Sequence, residues 1–598
     1  MKIEKRTFGM ADFIRIPWRC GPVHALLICI HTLLSGLVPT LQVIVTAYFI
    51  NTAIDIVQRD APLHQIYPSL FAVIALIAYN WVSSELIKFV RVRLEKEMRE
   101  QFRTAVIQKR ARLEYKHIEN HETWDVLSRV SKQPEKQAMG AFNDVLSLTA
   151  MMVRIGGLLA LLVVHVWWAA LLILSFSIPL FRLAVKSGKA TYQANREVSK
   201  YKRRNEYLSE VLTSRETVNE RALFGFGKAV NRMYRDHFEK ARGIEFKTEL
   251  KWFVKMKSGS VLTALISMLM IIVLLQPVLS GKLSIGMFIS LVNAVFGLTG
   301  MMSWQLTNLV DRLAKHHEYL KDLTAFAALE ESDSKLEVPI RPVPRFESLE
   351  FKDVSFAYPG TKQKILNGMS FRIEAGKHYS FVGINGAGKT TITKLMTGLY
   401  ADYEGQILLN GKELRTYSPG QLKAFYAVVY QDFAKYELRM IDNIAVGDVS
   451  RMEDDRMAEQ VNEAVDQVGL RSAAAKLKQG IYTPLGKIHA DGQDISGGEW
   501  QRAAMARALV NPAPIRILDE PTAALDPLSE SKLYEEFELL SKDKTTLFIS
   551  HRLGSTKLAD EIFVIGDGRI LEHGSHEELM QRSGIYADMY EKQRSWYQ

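Results

Sequence analysis

The chain has little cysteine: its 598 residues include two, Cys20 and Cys29. Two cysteines cannot build a disulfide framework, and neither has the neighbours of a metal site, so the sequence is compatible with a reducing cytoplasmic environment. The chain is nevertheless long. Because a single hydrophobic core rarely grows beyond about 250 to 300 residues, we expect at least two domains.

Long apolar runs are absent beyond about residue 345, where the sequence is that of an ordinary globular α/β domain. Upstream, six runs approach or exceed the roughly 20 residues that a helix needs to cross hydrocarbon. The first run is too long for a cleaved signal peptide, and the third and fourth are close enough to predict an antiparallel hairpin. The predicted spans are 23–50, 66–88, 143–164, 167–186, 258–280 and 284–307.

Positive charge is scarce in three of the connections between these spans. The connections at 58–65, at 165–168 and near Gly281 hold at most one Lys or Arg each, whereas residues 91–136 hold twelve. Cytoplasmic loops carry the excess of Lys and Arg, so we place 91–136 and both termini in the cytoplasm and the three poor connections outside. The formal net charge of +10 is then a topology signal, and no nucleic-acid partner is expected.

The segments outside the spans also have interpretable patterns. Residues 8–19 mix aromatic and basic side chains as an interfacial helix does, although a disordered leader is the alternative. The charged segments 89–142 and 187–257 keep helical spacing of apolar residues, so we expect them to project into the cytoplasm as helices. Residues 320–347, with acidic and proline-rich stretches, are predicted to be a linker.

A glycine-rich loop lies between a predicted buried strand, 378–382, and a predicted helix, 391–399. Residues 383–390 read GINGAGKT and match the Walker A pattern in the context that it requires. In this pattern backbone N–H groups approach the β-phosphate, Lys389 bridges the β and γ oxygens, and the Thr390 hydroxyl binds Mg²⁺. The predicted ATP-binding residues of this loop are Gly383, Asn385, Gly386, Ala387, Gly388, Lys389, Thr390 and Thr391.

Two adjacent acids end a second apolar strand. Residues 515–520 read IRILDE and match the Walker B pattern, except that Arg516 interrupts the apolar run. Asp519 would then hold Mg²⁺ through water, and Glu520 would polarise the attacking water as general base. A pair of capping carboxylates is the alternative, and the position after a short strand and before Pro521 argues against it. We expect Arg516 near a sheet edge or paired with an acid.

A second glycine pair lies about a hundred residues downstream of the phosphate loop, where residues 495–501 read ISGGEWQ. A helix that begins here offers N–H groups and a positive dipole end to a phosphate, so one chain carries two half-sites. At this motif the sequence resembles the ATP-binding cassette (ABC) family, whose signature motif closes over ATP held by a partner's phosphate loop. The resemblance gives that role to Ser496, Gly497, Gly498 and Glu499.

The same resemblance implies four further roles. Gln431 matches the glutamine that senses Mg²⁺ and touches the membrane domain, and His551 matches the histidine that contacts the γ-phosphate. Asp526 lies in the loop that crosses the dimer interface, and Tyr358 would stack on adenine. Taken singly, a glutamine or histidine is more often a surface or core residue and an aromatic at a strand end is often only packing; the order and spacing of the motifs favour the functional interpretation.

The resemblance covers nearly the whole chain and implies a membrane all-α exporter domain with six helices followed by an α/β P-loop cassette. Short coupling helices, best matched by 115–128 and 217–228, would dock on the cassettes. The working unit would be two chains, a homodimer by default or a heterodimer with a related half-transporter, with ATP and Mg²⁺ as cofactors. The implied organisation is an interfacial helix at 1–22, a membrane domain at 23–319, a linker at 320–347 and a cassette at 348–598.

The cargo is less clearly indicated. Lys487 stands where exporters commonly have Glu, and together with Trp500 it is similar to the subgroup that exports ribosomally made peptides such as lantibiotics and lasso microcins. A modified peptide is therefore the expected cargo, carried across the inner membrane of a bacterium, and membrane lipids are expected partners of the protein. Because some 22 residues precede the first span, we expect no leader-protease domain there. Lipid or amphiphile export, multidrug export, and an ATP-gated regulatory or channel-like protein are the alternatives.

Arg154 is the most unusual residue within the predicted spans, because it lies about ten residues from the outer turn among apolar neighbours. Charges at such depth usually face a bundle interior or water. One interpretation is a cavity residue that contacts an anionic cargo, and the other is an interhelical pair with an acid or a carbonyl. Trp304, Gln305 and Asn308 on the last span could line the same cavity.

Overall fold

A computed structural model describes residues 1–59, 61–215, 217–301, 305–332, 336–520, 544–550 and 553–595. The chain divides into two compact units. The first contains Met1–Arg110 and Glu122–Leu329, and the second contains Ala111–His121 and Glu330–Gln598. The second unit therefore includes a short segment, Ala111–His121, which comes from the N-terminal half of the chain.

The regular secondary structure among the described residues of the first unit is helical. Glycine at two points lets α2 and α7 pack closely: a Cβ on Gly36 would lie 2.9 Å from the Ala150 carbonyl oxygen, and one on Gly157 would lie 2.3 Å from the Thr40 hydroxyl. The helices are α1 (Asp12–Cys20), α2 (Pro22–Arg59), α3 (Ile66–Met98), α4 (Thr104–Arg112, which continues into the second unit), α6 (His121–Ser131), α7 (Pro134–Thr213), α8 (Val218–Phe224), α9 (Gly227–Leu279), α10 (Ile285–Gly300) and α11 (Leu306–Ala328).

Within the part of the chain that the structure describes, three helical stretches are long and apolar enough to cross a membrane: Pro22–Gln58, Leu63–Arg112 and Pro134–Trp168. They contain the first three predicted spans. Val166 has non-helical backbone angles inside α7, at the turn predicted between the third and fourth spans. Helix α9 continues through the fifth predicted span, and a shorter apolar helix at Ile285–Leu298 covers part of the sixth.

The N-terminal segment contains a helix, α1, as the interfacial interpretation requires. Phe13 and Ile16 are buried on one of its faces, whereas Trp18 is exposed. Asp12 in its first turn accepts hydrogen bonds from Arg6 and from the Gly9 N–H. The linker was predicted to begin at residue 320. Helix α11 extends to Ala328 and so enters the predicted linker stretch 320–347.

The described residues of the second unit form two sheets. A four-stranded antiparallel sheet has the order β2-β1-β4-β5, and a six-stranded sheet has the order β10-β9-β3-β8-β7-β6. The strands are β1 (Ser348–Ala357), β2 (Lys364–Glu374), β3 (His378–Gly383), β4 (Glu404–Leu409), β5 (Lys412–Glu413), β6 (Tyr426–Val429), β7 (Ile515–Asp519), β8 (Thr545–Ile549), β9 (Glu561–Gly566) and β10 (Arg569–Gly574).

Helices of the second unit surround these sheets. The first of them, α5, comes from the segment between α4 and α6, and residues just before it pair with the linker: Leu113 forms a bridge to Glu331. The helices are α5 (Tyr115–Glu119), α12 (Lys389–Met396), α13 (Pro419–Phe425), α14 (Met440–Ala445), α15 (Met457–Gln467), α16 (Arg471–Lys476), α17 (Gly497–Val510), α18 (His576–Gln581) and α19 (Ile585–Arg594).

The larger sheet determines where the site lies. Strands β9, β3, β8, β7 and β6 run parallel, so their carboxyl ends share one edge. The sequence predicted Arg516 near a sheet edge or paired with an acid; β7 pairs with β8 on one side and with the last strand, β6, on the other, so Arg516 lies one strand in from the edge. Arg516 is buried there, and burial lowers its pKa to about 10.

Candidate functional site

The phosphate loop follows β3 and leads directly into α12, as predicted. Gly383 and Gly388 need to be glycine for space as well as for backbone conformation: a Cβ on Gly383 would lie 2.1 Å from the Ile565 carbonyl oxygen, and one on Gly388 would lie 2.7 Å from Leu366 Cδ2. Gly386 and Gly388 have φ of 83° and 103°. The loop is therefore held tightly at both ends, while Asn385 between them is exposed.

Lys389 is folded onto its own loop. Its Nζ donates hydrogen bonds to the carbonyl oxygens of Gly383 at 2.8 Å and Ile384 at 3.1 Å. Burial lowers the pKa of this ammonium, and the negative charges of Glu520 and Asp519 oppose that effect. The buried ammonium is thus surrounded by phosphate-loop carbonyls and faces two acids, an arrangement in which phosphate oxygens can replace the carbonyls as partners.

Asp519, at the end of β7, is the most deeply buried acid of the site, with 1% of its surface exposed. Burial and the neighbouring charge of Glu520 raise its pKa to about 6, and Thr390 and Lys389 lie close enough to oppose this shift. Neither carboxylate oxygen has a hydrogen bond of ordinary geometry among the described residues. Buried carboxylate oxygens beside a hydroxyl are oxygen ligands of the kind that a hard divalent cation such as Mg²⁺ accepts.

Glu520 is held in an unusual conformation. Its φ is +48°, in the left-handed region that non-glycine residues seldom adopt, and its N–H extends the ladder by donating to the Ile549 carbonyl at 2.8 Å. Gln431, which follows β6, donates from Nε2 to Glu520 Oε2 at 2.9 Å. Two of the three predicted catalytic residues, Glu520 and Gln431, therefore meet at the carboxyl edge of the sheet, beside Asp519.

Gln501 also contacts this region and was not predicted. It is buried in α17, and its Nε2 donates to the Glu520 carbonyl oxygen at 3.4 Å. This contact joins the helix of the second glycine motif to the predicted general base. The glutamine within the ISGGEWQ motif was the available signal for it.

The second glycine motif begins α17. Ser496 is the N-cap: its hydroxyl accepts from the Glu499 N–H, and the Glu499 carboxylate accepts from the Ser496 N–H at 2.7 Å. Ser496 and Gly497 are exposed, and Gly498 follows them in the first turn. The reciprocal cap engages the N–H groups of Ser496 and Glu499, and the predicted anion site would use the other first-turn N–H groups of this 14-residue helix.

The two residues that suggested a peptide cargo lie in the cassette itself. Trp500 is 4% exposed within the core around α17, and its indole N–H donates to Asp494 at 3.0 Å. The Lys487 and Ile488 N–H groups both donate to the Glu437 carboxylate at 2.8 Å. Trp500 therefore serves packing, and neither residue is part of the membrane domain.

Tyr358 lies in an aromatic and charged cluster. Its hydroxyl is 3.0 Å from the Thr391 hydroxyl, and its ring stands edge-on to Tyr400 with centroids 5.6 Å apart. Lys394 lies 5.2 Å from the Tyr358 ring centroid and forms an ion pair with Glu119 of α5. A cavity of about 250 Å³ lies beside this ring, lined by Lys116, Glu119, Asn120, Tyr358, Pro359 and Tyr400.

The participation of α5 in this cluster was foreseen only as a general docking of the segment 115–128. Sequence reasoning missed Glu119, Lys394 and Tyr400 as individual contacts. The structure divides the predicted segment between α5 and α6, and α5 belongs to the second unit. The second predicted coupling segment, 217–228, contains α8, with Leu223 and Phe224 exposed.

Arg154 lines a cavity in the first unit. The cavity has a volume of about 410 Å³, and Gln305 and Asn308 line it as well. Three of the four predicted cavity residues are therefore together. The fourth, Trp304, lies outside the described residues, as do Asp526 and His551.

Two family models match the chain. One, described as an ABC transporter, matches residues 366–523, and the other, described as an ABC transporter transmembrane region, matches residues 25–301. Together they cover more than half of the sequence. The chain belongs to the ABC transporter family, as a multi-pass membrane domain fused to an ATP-binding cassette.

Known proteins resemble the chain over nearly its full length. The subtilin transport ATP-binding protein of Bacillus subtilis is 28% identical over 94% of this chain and 90% of its own. An ATP-dependent lipid A-core flippase of Xylella fastidiosa is 27% identical over 87% of this chain and 86% of its own. The fold matches that of a bacterial Atm1-family ABC exporter with ATP bound, at a TM-score of 0.77 and 20% identity over 96% of this chain and 99% of that one. The protein is thus an ABC exporter whose ATPase drives transport.

Proposed function

We propose that this exporter moves a modified peptide across the cytoplasmic membrane of a bacterium. The observation that carries this proposal is the similarity to the subtilin transport protein, which extends over 94% of the chain and so includes the membrane domain as well as the cassette. Trp500 is buried, so it supports the peptide cargo only as a similarity to the peptide-exporting subgroup and not as a residue that contacts the cargo. Both termini would lie in the cytoplasm.

In the proposed cycle ATP binds at the carboxyl edge of the six-stranded sheet. Lys389 exchanges its loop carbonyls for phosphate oxygens, and the adenine stacks on Tyr358. Asp519 and Thr390, with Gln431, would hold Mg²⁺, which supplies charge neutralisation on the phosphates. Glu520 accepts the proton of the attacking water, and the Gln431 amide orients its carboxylate. His551 and Asp526 are assigned to the γ-phosphate and the dimer interface on their sequence positions alone.

We further propose that two copies of the chain form the working transporter. Helix α17 begins at the exposed residues Ser496 and Gly497, and a second copy's ATP would occupy the anion site formed by its first-turn N–H groups. The motif residues Lys389, Ser496 and Glu520 are all present, so a homodimer has two competent sites. A heterodimer with a related half-transporter is the alternative, and the oligomer purified after expression of this chain alone distinguishes them.

Lipid export is the second candidate, and a specific observation favours it. Several of the similar proteins are lipid A-core flippases, with identities of 27% to 29% over 85% to 87% of this chain. The Haemophilus influenzae flippase reaches 38%, but over 46% of the chain. An amphiphile cargo therefore competes with a peptide.

Proteoliposomes separate these proposals. ATP hydrolysis and uptake into inverted vesicles would be measured with subtilin and, separately, with lipid A as cargo. We expect subtilin to stimulate hydrolysis and to accumulate, and we expect Glu520→Gln to abolish both while ATP binding persists. Strong stimulation by lipid A beside none by subtilin would replace the peptide with a lipid. Hydrolysis without movement of either cargo would favour a regulatory or channel-like protein.

A further inference from the structure

Arg154 is a charged side chain at membrane depth. Its Nε is enclosed, and among the described residues no acceptor forms a hydrogen bond or ion pair with its guanidinium. The interpretation that Arg154 forms an interhelical pair with an acid or a carbonyl therefore has no support in the part of the chain that the structure describes. A guanidinium at such depth needs an anion or water, because burying it unpaired is costly.

Arg154 lies between two cavities of the first unit. The larger, of about 410 Å³, also contains Gln305 and Asn308, and a second, of about 220 Å³, also contains Gln42 and Asn293. No Asp or Glu is among the described residues that line either one. The guanidinium is thus accompanied by amide side chains, which donate and accept hydrogen bonds without adding charge.

The larger cavity contains a second cation, Arg312, whose charge is already compensated. Its Nε donates to both carboxylate oxygens of Asp144, at 2.9 and 3.0 Å, and His316 Nε2 lies 3.0 Å from the same carboxylate. Asp144 does not itself line the cavity. Among the described residues that line this cavity, Arg154 therefore carries the one positive charge without a compensating acid.

The backbone around Arg154 is packed so that the guanidinium has a defined position. Gly157, three residues further along α7, lies against Thr40 of α2, and Gly36 of α2 lies against Ala150. These close approaches fix α2 against α7 on both sides of Arg154. Met151 and Met301 provide an adaptable apolar wall in the larger cavity.

We propose that Arg154 binds the carboxylate of an exported peptide, with the adjoining apolar side chain of the peptide against Met151 and Met301. This inference rests on the proposed peptide cargo. A guanidinium donates two parallel hydrogen bonds to a carboxylate, and one uncompensated positive charge matches the single negative charge of a carboxylate better than the charge of about −1.5 to −2 on a phosphate monoester. A cavity of this volume accommodates the end of a peptide, and the remainder lies beyond it.

The test measures binding without nucleotide, in detergent, by fluorescence anisotropy of a dansyl-labelled peptide of leucine and serine. One version ends in a free carboxylate and the other in an amide. We expect the full-length protein to bind the carboxylate about tenfold or more tightly than the amide. Arg154→Gln should remove this preference, Arg154→Lys should retain part of it, and Arg204→Gln, an exposed arginine on the same helix, should retain all of it.

Equal affinity of the unaltered protein for the two peptides, or binding of neither, would overturn the proposal. Both outcomes are measured on the unaltered protein, so they do not depend on whether Arg154→Gln folds. Competition tests the other source of an anion: displacement of the peptide by phosphatidic acid at lower concentration than by dodecanoate would assign Arg154 to a lipid phosphate instead. The binding test contains no nucleotide and is therefore independent of transport. If the protein preferred the carboxylate peptide but did not transport peptide with ATP, the proposed function would be rejected and the carboxylate site at Arg154 would remain.

Discussion

Lys394 Nζ lies 2.6 Å from Glu119 Oε1, so an ion pair joins α12, the helix that follows the phosphate loop, to the short helix α5. Tyr400 donates a hydrogen bond to the other oxygen of the same carboxylate. Lys394 also lies 5.5 Å from the Tyr115 ring centroid and 5.2 Å from that of Tyr358. One carboxylate from the segment between α4 and α6 thus holds the residues around the proposed adenine contact.

Glu119→Gln should uncouple hydrolysis from transport. The variant keeps the shape of the side chain but loses the charge that holds Lys394, while the phosphate loop and Glu520 are untouched. We expect the rate of ATP hydrolysis to stay within about twofold of that of the unaltered protein. We expect the amount transported per ATP to fall by about fivefold or more, because typical coupling free energies correspond to changes of that size. Parallel hydrolysis and uptake assays in proteoliposomes measure both quantities.

The matched control for this variant is Glu453→Gln, an exposed glutamate elsewhere in the cassette. It should leave both hydrolysis and uptake per ATP unchanged. If Glu119→Gln lowered hydrolysis and uptake in equal proportion, the ion pair would serve the nucleotide site alone and the coupling interpretation would be wrong.

The same ion pair predicts an acid-sensitive contribution to stability. Burial tends to raise the pKa of Glu119, but the hydrogen bonds from Lys394 and Tyr400 outweigh it, and the pKa is lowered. A carboxyl with a lowered pKa in the folded state stabilises fully above its ordinary pKa, about 4.3, and loses that contribution as the pH falls further. The difference in melting temperature between the unaltered protein and Glu119→Gln should therefore be constant from pH 6 to 8 and shrink below about pH 4. A difference that grew on acidification would contradict this.

Asp519→Asn should stabilise the nucleotide-free protein while removing activity. The carboxylate is 1% exposed, and its two oxygens lack hydrogen bonds of ordinary geometry in the described structure. Neutralising it relieves an unfavourable burial of charge, which is worth about 1 to 3 kcal/mol. We expect a higher melting temperature without nucleotide and no gain of stability on adding Mg²⁺ and ATP.

Asp560→Asn provides the comparison, because Asp560 accepts a hydrogen bond from the His378 N–H at 2.7 Å at an exposed position. That variant should gain no stability. An Asp519→Asn protein that melted below the unaltered protein, or that retained Mg²⁺-dependent hydrolysis, would show that the buried carboxylate is not the metal ligand that we infer.

Trp500→Phe should affect stability and leave cargo choice unchanged. The substitution removes the hydrogen bond to Asp494 and part of a buried ring, at a cost of about 1 to 3 kcal/mol. Trp18→Phe, at a 43% exposed tryptophan, should cost much less. Melting curves and the ratio of hydrolysis rates with subtilin and lipid A measure the two effects. Selective loss of stimulation by the peptide at unchanged stability would show that Trp500 does affect the choice of cargo.

Gly36→Ala should disturb the packing of α2 on α7. A Cβ there would lie 2.9 Å from the Ala150 carbonyl oxygen, a backbone atom that cannot move alone, so we expect a loss of about 1 to 3 kcal/mol. Gly156→Ala is the control, since a Cβ at Gly156 meets nothing within 4 Å. It should be neutral or stabilise α7 slightly. Equal melting temperatures for the two variants would show that the helices do not depend on this approach.

The nucleotide site could be predicted from the sequence because its chemistry depends on local backbone geometry. Glycines at 383, 386 and 388 specify a loop that other residues cannot adopt, and Ser496 with Glu499 specifies the start of a helix. Arg516 could not be placed in this way. Its position in the chain shows that it lies on a strand, but the order of strands depends on how distant segments pair.

The sequence by itself determined that this protein has membrane-length helices, a phosphate loop, a pair of acids after a strand and a second glycine motif that begins a helix. The tertiary structure decided which side chains meet across long separations. Glu119 and Lys394 are 275 residues apart, and the sequence around one gives no indication that it contacts the other. Arg154 was anomalous in the sequence, but the absence of a described acid or carbonyl partner became visible only once α2, α7 and α11 were packed together. Local motifs specify backbone conformation, whereas the partners of a charge depend on the packing of the whole chain.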